Sequence, residues 1–117
     1  MNLKWNDCKG DQWCPFLDVD LNHSHFNDME GVYIIWYWDN DKPVTVRIGQ
    51  GIIKDRLSEH RKDPEILEYE DKDMYVTWAR IGMSEQDAVE KYLADTLEPL
   101  VGESFPDVYP REVNLPW

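Results

Sequence analysis

The sequence predicts an α+β domain: a small three-stranded antiparallel sheet flanked by helices, with an irregular N-terminal arm over residues 1–30 and an extended tail over residues 101–117. Three observations carry this. Residues 32–38 and 44–48 are two β-prone runs joined by turn chemistry, and 75–81 is a third. Residues 52–62 and 84–100 place apolar side chains at helical spacing. Proline at 106, 110 and 116 keeps the C-terminal segment from forming a long helix.

The arm has Trp5, Trp13, Phe16 and Leu21 without a regular period, as expected of a segment laid over the domain and anchored by aromatics. Val32 to Trp38 is β-branched and aromatic, which suits a strand. Tyr33, Ile35 and Tyr37 fall on one face, and Val32, Ile34, Trp36 and Trp38 on the other, so both faces are apolar and the strand is central. Asp39-Asn40-Asp41-Lys42 supplies a turn. Pro43 suits a strand start, and Val44, Val46 and Ile48 alternate with Thr45 and Arg47, which completes a hairpin. Gly49-Gln50-Gly51 breaks that strand, and a helix follows from Ile52 to about Lys62 with Ile53, Leu57 and His60 on its inner stripe. Pro64 ends this helix or opens a short one over 65–69. Ser84 and Asp87 read as a capping box for a helix buried through Val89, Leu93, Thr96, Leu97 and Leu100 and stopped at Gly102.

The chain has 117 residues, enough for one domain. A domain of this size buries roughly two thirds of its unfolded surface, so it can hold a core without staples. No run approaches the ~20 apolar residues of a membrane span. The first residues lack the apolar core of a secretion signal, and the expectation is a soluble protein of the cytoplasm without membrane contact. In a reducing compartment Cys8 and Cys14 are expected as buried or half-buried thiols rather than a disulfide. Their spacing with His23 and His25 matches no strong zinc pattern.

The net charge of −12 argues against extensive contact with nucleic acid, whose phosphates call for Lys and Arg. The distribution qualifies this. Residues 47–62 hold five cations against two acids, a net of +3 that leaves −15 to the rest of the chain. That island contains Arg47, Lys54 and Arg56. Taken alone, these are equally well read as solvated helix charges.

Within this frame the order Gly31-Val32-Tyr33, Arg47-Ile48-Gly49, Arg56-Leu57 with His60, then Glu90 with Leu93 and Pro99, resembles the GIY-YIG nuclease domain over about residues 31–100. The resemblance implies metal-dependent endonuclease activity on DNA, with RNA the lesser alternative. It implies that Glu90 binds one Mg²⁺ or Mn²⁺ ion, Arg56 holds a phosphate oxygen, Tyr33 takes a proton from the attacking water, and His60 assists Tyr33. Arg47 and Lys54 are expected to contact substrate. Gly49 is expected to let the backbone approach the phosphate at a strand-to-helix turn. The sequence departs from the family pattern at Arg47, where the second tyrosine stands, and at Gly102, where an asparagine stands; Asn114 is a candidate replacement for the latter. A composition-only reading makes Tyr33 a core aromatic and Arg56, His60 and Glu90 ordinary helix positions. The alternative function is therefore an inactive module of the same fold that binds a protein partner or a second copy through its tryptophan-rich surface.

Overall fold

The computed structural model describes residues 1–102 and 104–117. The elements are β1 (Cys14–Pro15), β2 (Glu30–Asp39), β3 (Lys42–Ile52), α1 (Ile53–His60), α2 (Pro64–Leu67), β4 (Tyr75–Arg80) and α3 (Met83–Leu97), with single 3₁₀ turns at Ser24–Phe26 and Glu70–Lys72. The class is α+β as expected, but the sheet has four antiparallel strands in the order β1-β4-β2-β3 rather than three. The additional strand comes from the arm. Cys14 pairs with Val76 and Pro15 with Tyr75, and the Phe16 N–H donates to the Met74 carbonyl, which covers the outer edge of β4. Two residues carry no periodic signal, so the sequence offered no sign of this strand.

β2 lies inside the sheet between β4 and β3, as its two apolar faces predict. One face packs Tyr33 and Ile35 with Ile53 and Leu57 of α1 and with Phe16, Leu21, Phe26 and Met29 of the arm. The other packs Val32, Ile34 and Trp36 with Val89 and Leu93 of α3 and with Val113 of the tail. The sheet is thus the middle layer. The hairpin turns through Asn40 and Asp41, both at positive φ, the backbone of a tight primed turn.

β3 does not alternate as the sequence suggests. Ile35 pairs with Arg47 and Trp36 with Thr45, so Val46 is an extra residue in a β-bulge. Val46 joins the Tyr33 face, whereas Ile48 joins the other. The strand also runs through Gly49-Gln50-Gly51 to Ile52, and α1 begins one residue later than expected. Pro64 opens α2, with the Asp63 side chain accepting from the Glu65 N–H. Ser84 caps nothing: α3 starts at Met83 after Gly82, and Asp87 instead accepts a hydrogen bond from Gln50 Nε2 at 2.5 Å. The helix ends at Leu97, followed by Glu98 in the left-handed region, and Thr96 and Leu100 are exposed rather than buried. The Leu100 and Val101 N–H groups then donate to the Thr45 and Val46 carbonyls, laying the chain along the outer edge of β3.

Cys8 and Cys14 form a disulfide, which overturns the expectation of free thiols. Arg61 fastens the same arm to α1 by donating to the Phe16 and Val19 carbonyls. Reduction of so short a loop is expected to lower stability by about 2 kcal/mol on chain-entropy grounds. The measurement is Tm with and without a dithiol reductant; an unchanged Tm would show that β1 holds its place without the bond. The tail closes on Trp117, whose ring packs 4.9 Å from that of Trp36. No helix of the described residues is long and apolar enough to cross a membrane.

Candidate functional site

Tyr33 stands at the centre of β2, opposite Gly49 of β3. Its ring crosses the space that a side chain at position 49 would fill, since a Cβ there would overlap the phenol ring and hydroxyl. Gly49 is therefore explained by its packing under Tyr33. It lies inside a strand, not at a strand-to-helix turn beside a phosphate as expected.

The Tyr33 hydroxyl lies 2.5 Å from Nε2 of His60, the last residue of α1. Burial pushes the His60 imidazole down to a pKa of about 4; the Arg47 and Arg56 charges add to this and Asp63 opposes it. His60 is thus neutral at physiological pH. In the tautomer with its proton on Nδ1, Nε2 accepts the Tyr33 O–H. Tyr33 has no exposed surface. Burial raises its pKa against the pull of Arg56 and Arg47, and Glu90 raises it further. The arginines act in the direction expected of a site that favours phenolate, but burial outweighs them, and Tyr33 rests as a phenol.

Arg56 projects one turn before His60. Nη1 lies 3.2 Å from Glu59 Oε2 in a surface ion pair, while its Nε is buried without a partner among the described residues. Arg47 also has a buried Nε without a described partner. Its place beside Tyr33 follows from the bulge. Strict alternation from Val44 would turn Arg47 to the opposite face; the extra residue at Val46 brings it to the face of Ile35 and Tyr33.

Glu90 comes from α3, which packs on the other face of the sheet, yet Arg47 and Arg56 both act on its carboxylate. β3 is the sheet edge, and residues of the two layers meet around an edge. Burial raises the Glu90 pKa to about 7, Arg47 opposes that rise, Asp87 adds to it and Arg56 opposes it. Glu90 keeps 7% exposure. Its carboxylate takes part in none of the side-chain hydrogen bonds or ion pairs found among the described residues. Tyr33, Arg47, Arg56, His60 and Glu90 are thus brought together. Lys54 is half-buried on the same helix two residues before Arg56, with no ion pair among the described residues.

Asn114 is not part of this group. Its amide bonds both backbone groups of Leu3, and its carbonyl accepts from Trp5 Nε1, which ties the tail to the N-terminal residues. Gly102, at φ +103°, packs against the Arg47 guanidinium so closely that a Cβ would overlap it. Arg47 and Gly102, the two positions at which the sequence departs from the nuclease pattern it resembles, therefore touch each other. Asp87, which the sequence presents as a cap, also acts on the Glu90 carboxylate, and its position one turn before Glu90 is the sign of this in the sequence.

Among the described residues no cluster of three or more His, Cys, Asp or Glu could hold a metal. A site of Glu90 with its neighbour Asp87 still suits Mg²⁺ or Mn²⁺, because Mg²⁺ keeps several waters and is commonly held by one or two carboxylates. Cys8, Cys14, His23 and His25 border a separate apolar cavity of about 410 Å³ in the arm, beside Phe26 and Trp78. Trp78 Nε1 donates to His25 Nε2 there, and the cysteines are joined to each other.

Comparison of the chain with protein-family models, with curated protein sequences and with solved structures gave no match.

Proposed function

We propose that this protein is a metal-dependent endonuclease that hydrolyses phosphodiester bonds in DNA, with Glu90 holding one Mg²⁺ or Mn²⁺ ion. The observation that supports it most is the meeting of a phenol, two guanidinium groups with unpartnered Nε atoms, and a carboxylate that ionises near neutrality. Glu90 and Asp87 are the residues that would hold the ion. The bound ion supplies positive charge at the phosphate and leaving oxygens.

The chain's own groups do the rest. Arg56 turns its Nε and a free Nη edge to a non-bridging oxygen in charge-assisted hydrogen bonds. Its contact with Glu59 is an exposed ion pair of the kind worth little, so it yields readily to phosphate. Tyr33 takes the proton of the attacking water as its own passes to His60 Nε2, along the hydrogen bond already formed. After burial, the charges of Arg47 and Arg56 are what hold His60 down. A phosphate beside them offsets that charge, so His60 becomes a better base when substrate is present. Lys54 tracks the neighbouring backbone, whereas Arg61 of the same positive island is committed to the Phe16 and Val19 carbonyls. The cytoplasmic assignment belongs to this reading as well, and the Cys8–Cys14 disulfide counts against it, since such bonds are rare in a reducing compartment.

One observation favours a second reading. Tyr33 is wholly buried, and water reaches its hydroxyl only if the site opens. An inactive module of the same fold would keep Tyr33 as a core residue and use Trp38 and Trp117, each about one third exposed, toward a protein partner. Incubation with supercoiled plasmid separates the two. The nuclease nicks DNA in Mg²⁺ or Mn²⁺ and stops in EDTA. A folded protein that nicks under no metal condition, and that forms a defined oligomer or complex, supports the module.

A further inference from the structure

Three features converge on Arg47, and none is needed for a core strand. A β-bulge at Val46 turns the side chain toward Tyr33. The Nε atom is buried with no partner among the described residues. Gly102, in a backbone conformation that side chains rarely adopt, leaves the room in which the guanidinium lies. Arg56, whose side chain is 36% exposed and paired with Glu59 through Nη1, also has a buried Nε without a partner among the described residues. A buried N–H without an acceptor is costly, and two on cations around one group of side chains point to a missing anion.

We propose that Arg47 and Arg56 form a metal-independent clamp for a phosphate group, holding a phosphate dianion more tightly than a monoanionic diester, and that Gly102 is the positioning residue that admits the Arg47 fork. This deepens the nuclease reading and rests on it for the identification of the phosphate as that of DNA. The site sets two guanidinium groups beside the Glu90 and Asp87 carboxylates and the exposed Glu59 partner of Arg56, and a guanidinium matches two phosphate oxygens at once. The chemistry of hydrolysis gives the clamp a consequence. Cleavage converts a diester with one negative charge into a strand end whose phosphate monoester carries nearly two. The cut end is therefore held more firmly than the uncut strand, and product competes with substrate.

The test is calorimetric titration in EDTA at fixed ionic strength, at mildly alkaline pH where inorganic phosphate is mostly dianionic, with dimethyl phosphate as the monoanion. The wild-type protein is expected to bind inorganic phosphate about tenfold or more tighter than dimethyl phosphate. Arg47→Ala and Gly102→Ala are each expected to lose about tenfold in phosphate affinity, although the latter removes no charge. Arg47→Lys keeps the charge without the fork; its loss of the preference carries the same conclusion should Gly102→Ala fail to fold. Absence of phosphate binding by the wild-type protein, equal affinity for the two anions, or full affinity in Arg47→Ala overturns the clamp. Plasmid nicking separates this from the parent reading. Phosphate binding with these losses but no nicking upholds the clamp and removes the nuclease. Metal-dependent nicking with phosphate affinity indifferent to Arg47 removes the clamp alone.

Discussion

Replacing Glu90 with glutamine is expected to stabilise the protein near pH 8 by about 3 kcal/mol while removing its response to Mg²⁺ and Mn²⁺. The sign follows from the raised pKa. Burial lifts the carboxyl from the ordinary 4.5 to about 7. Below the unfolded-state value the group is protonated in both states and costs nothing. Between the two values the unfolded chain ionises and the folded chain does not, so stability falls as pH rises and levels off above the folded value. Glutamine does not titrate. Wild type and Glu90→Gln should be nearly equal in stability near pH 4, and the gap should open from there to neutrality. The groups facing Glu90 are Arg47, Arg56 and Asp87, and the raised value already includes their opposing effects. Divalent metal should reverse the penalty, because an ion that binds only the ionised folded form stabilises the wild type and not the variant. Urea denaturation across this pH range, with and without Mg²⁺, measures both effects. A variant less stable than wild type at alkaline pH would make Glu90 a structural carboxylate.

The second large effect is expected at Gly49. Alanine there brings a Cβ into the Tyr33 ring and hydroxyl. The ring has nowhere to retreat, since Tyr33 is fully buried and packed with Ile35, Ile53 and Leu57. Overpacking of this kind costs about 1–3 kcal/mol. Displacing the phenol also breaks its bond to His60, which leaves two buried polar groups unpaired at about another 1–3 kcal/mol. Gly49→Ala should therefore destabilise the fold by about 3 kcal/mol and lose plasmid nicking even under conditions where it remains folded. The denaturation midpoint and the nicking rate of the same sample provide the check. A loss below about 1 kcal/mol would mean that Tyr33 does not lie over Gly49.

Much of the fold was legible in the sequence, for physical reasons that can be named. Residues 32–38 are apolar on both faces, and the strand they form is covered on both faces. The Asn40-Asp41 turn accepts positive φ and makes the hairpin. The features that the sequence conceals depend on partners distant in the chain. β1 exists only because β4 needs an edge partner. The bulge at Val46 is invisible to a period of two, and it decides where Arg47 points. Ser84 and Asp87 satisfy a capping pattern, but Gln50 takes Asp87. The disulfide departs from the thiols expected of a reducing compartment because the arm's own path brings Cys8 to Cys14. The site residues were legible as a set only through the resemblance. Their burial was not, since the alternation that places Tyr33 inward says nothing of how deep it lies. Nor could spacing along the chain reveal that Gly102 and Arg47 share one space.

The central claim is that Tyr33, Arg56 and Glu90, from three separate elements, act on one phosphodiester. Its most direct test is the rate of supercoiled-plasmid nicking in Mg²⁺ or Mn²⁺ by the wild-type protein beside Tyr33→Phe, Arg56→Ala and Glu90→Gln, each confirmed as folded. The account predicts cleavage by the wild type and a fall of about a hundredfold or more in each variant, the scale on which acid–base and charge-stabilising groups contribute. Equal rates in all four proteins, or intact DNA with the folded wild type, would contradict it.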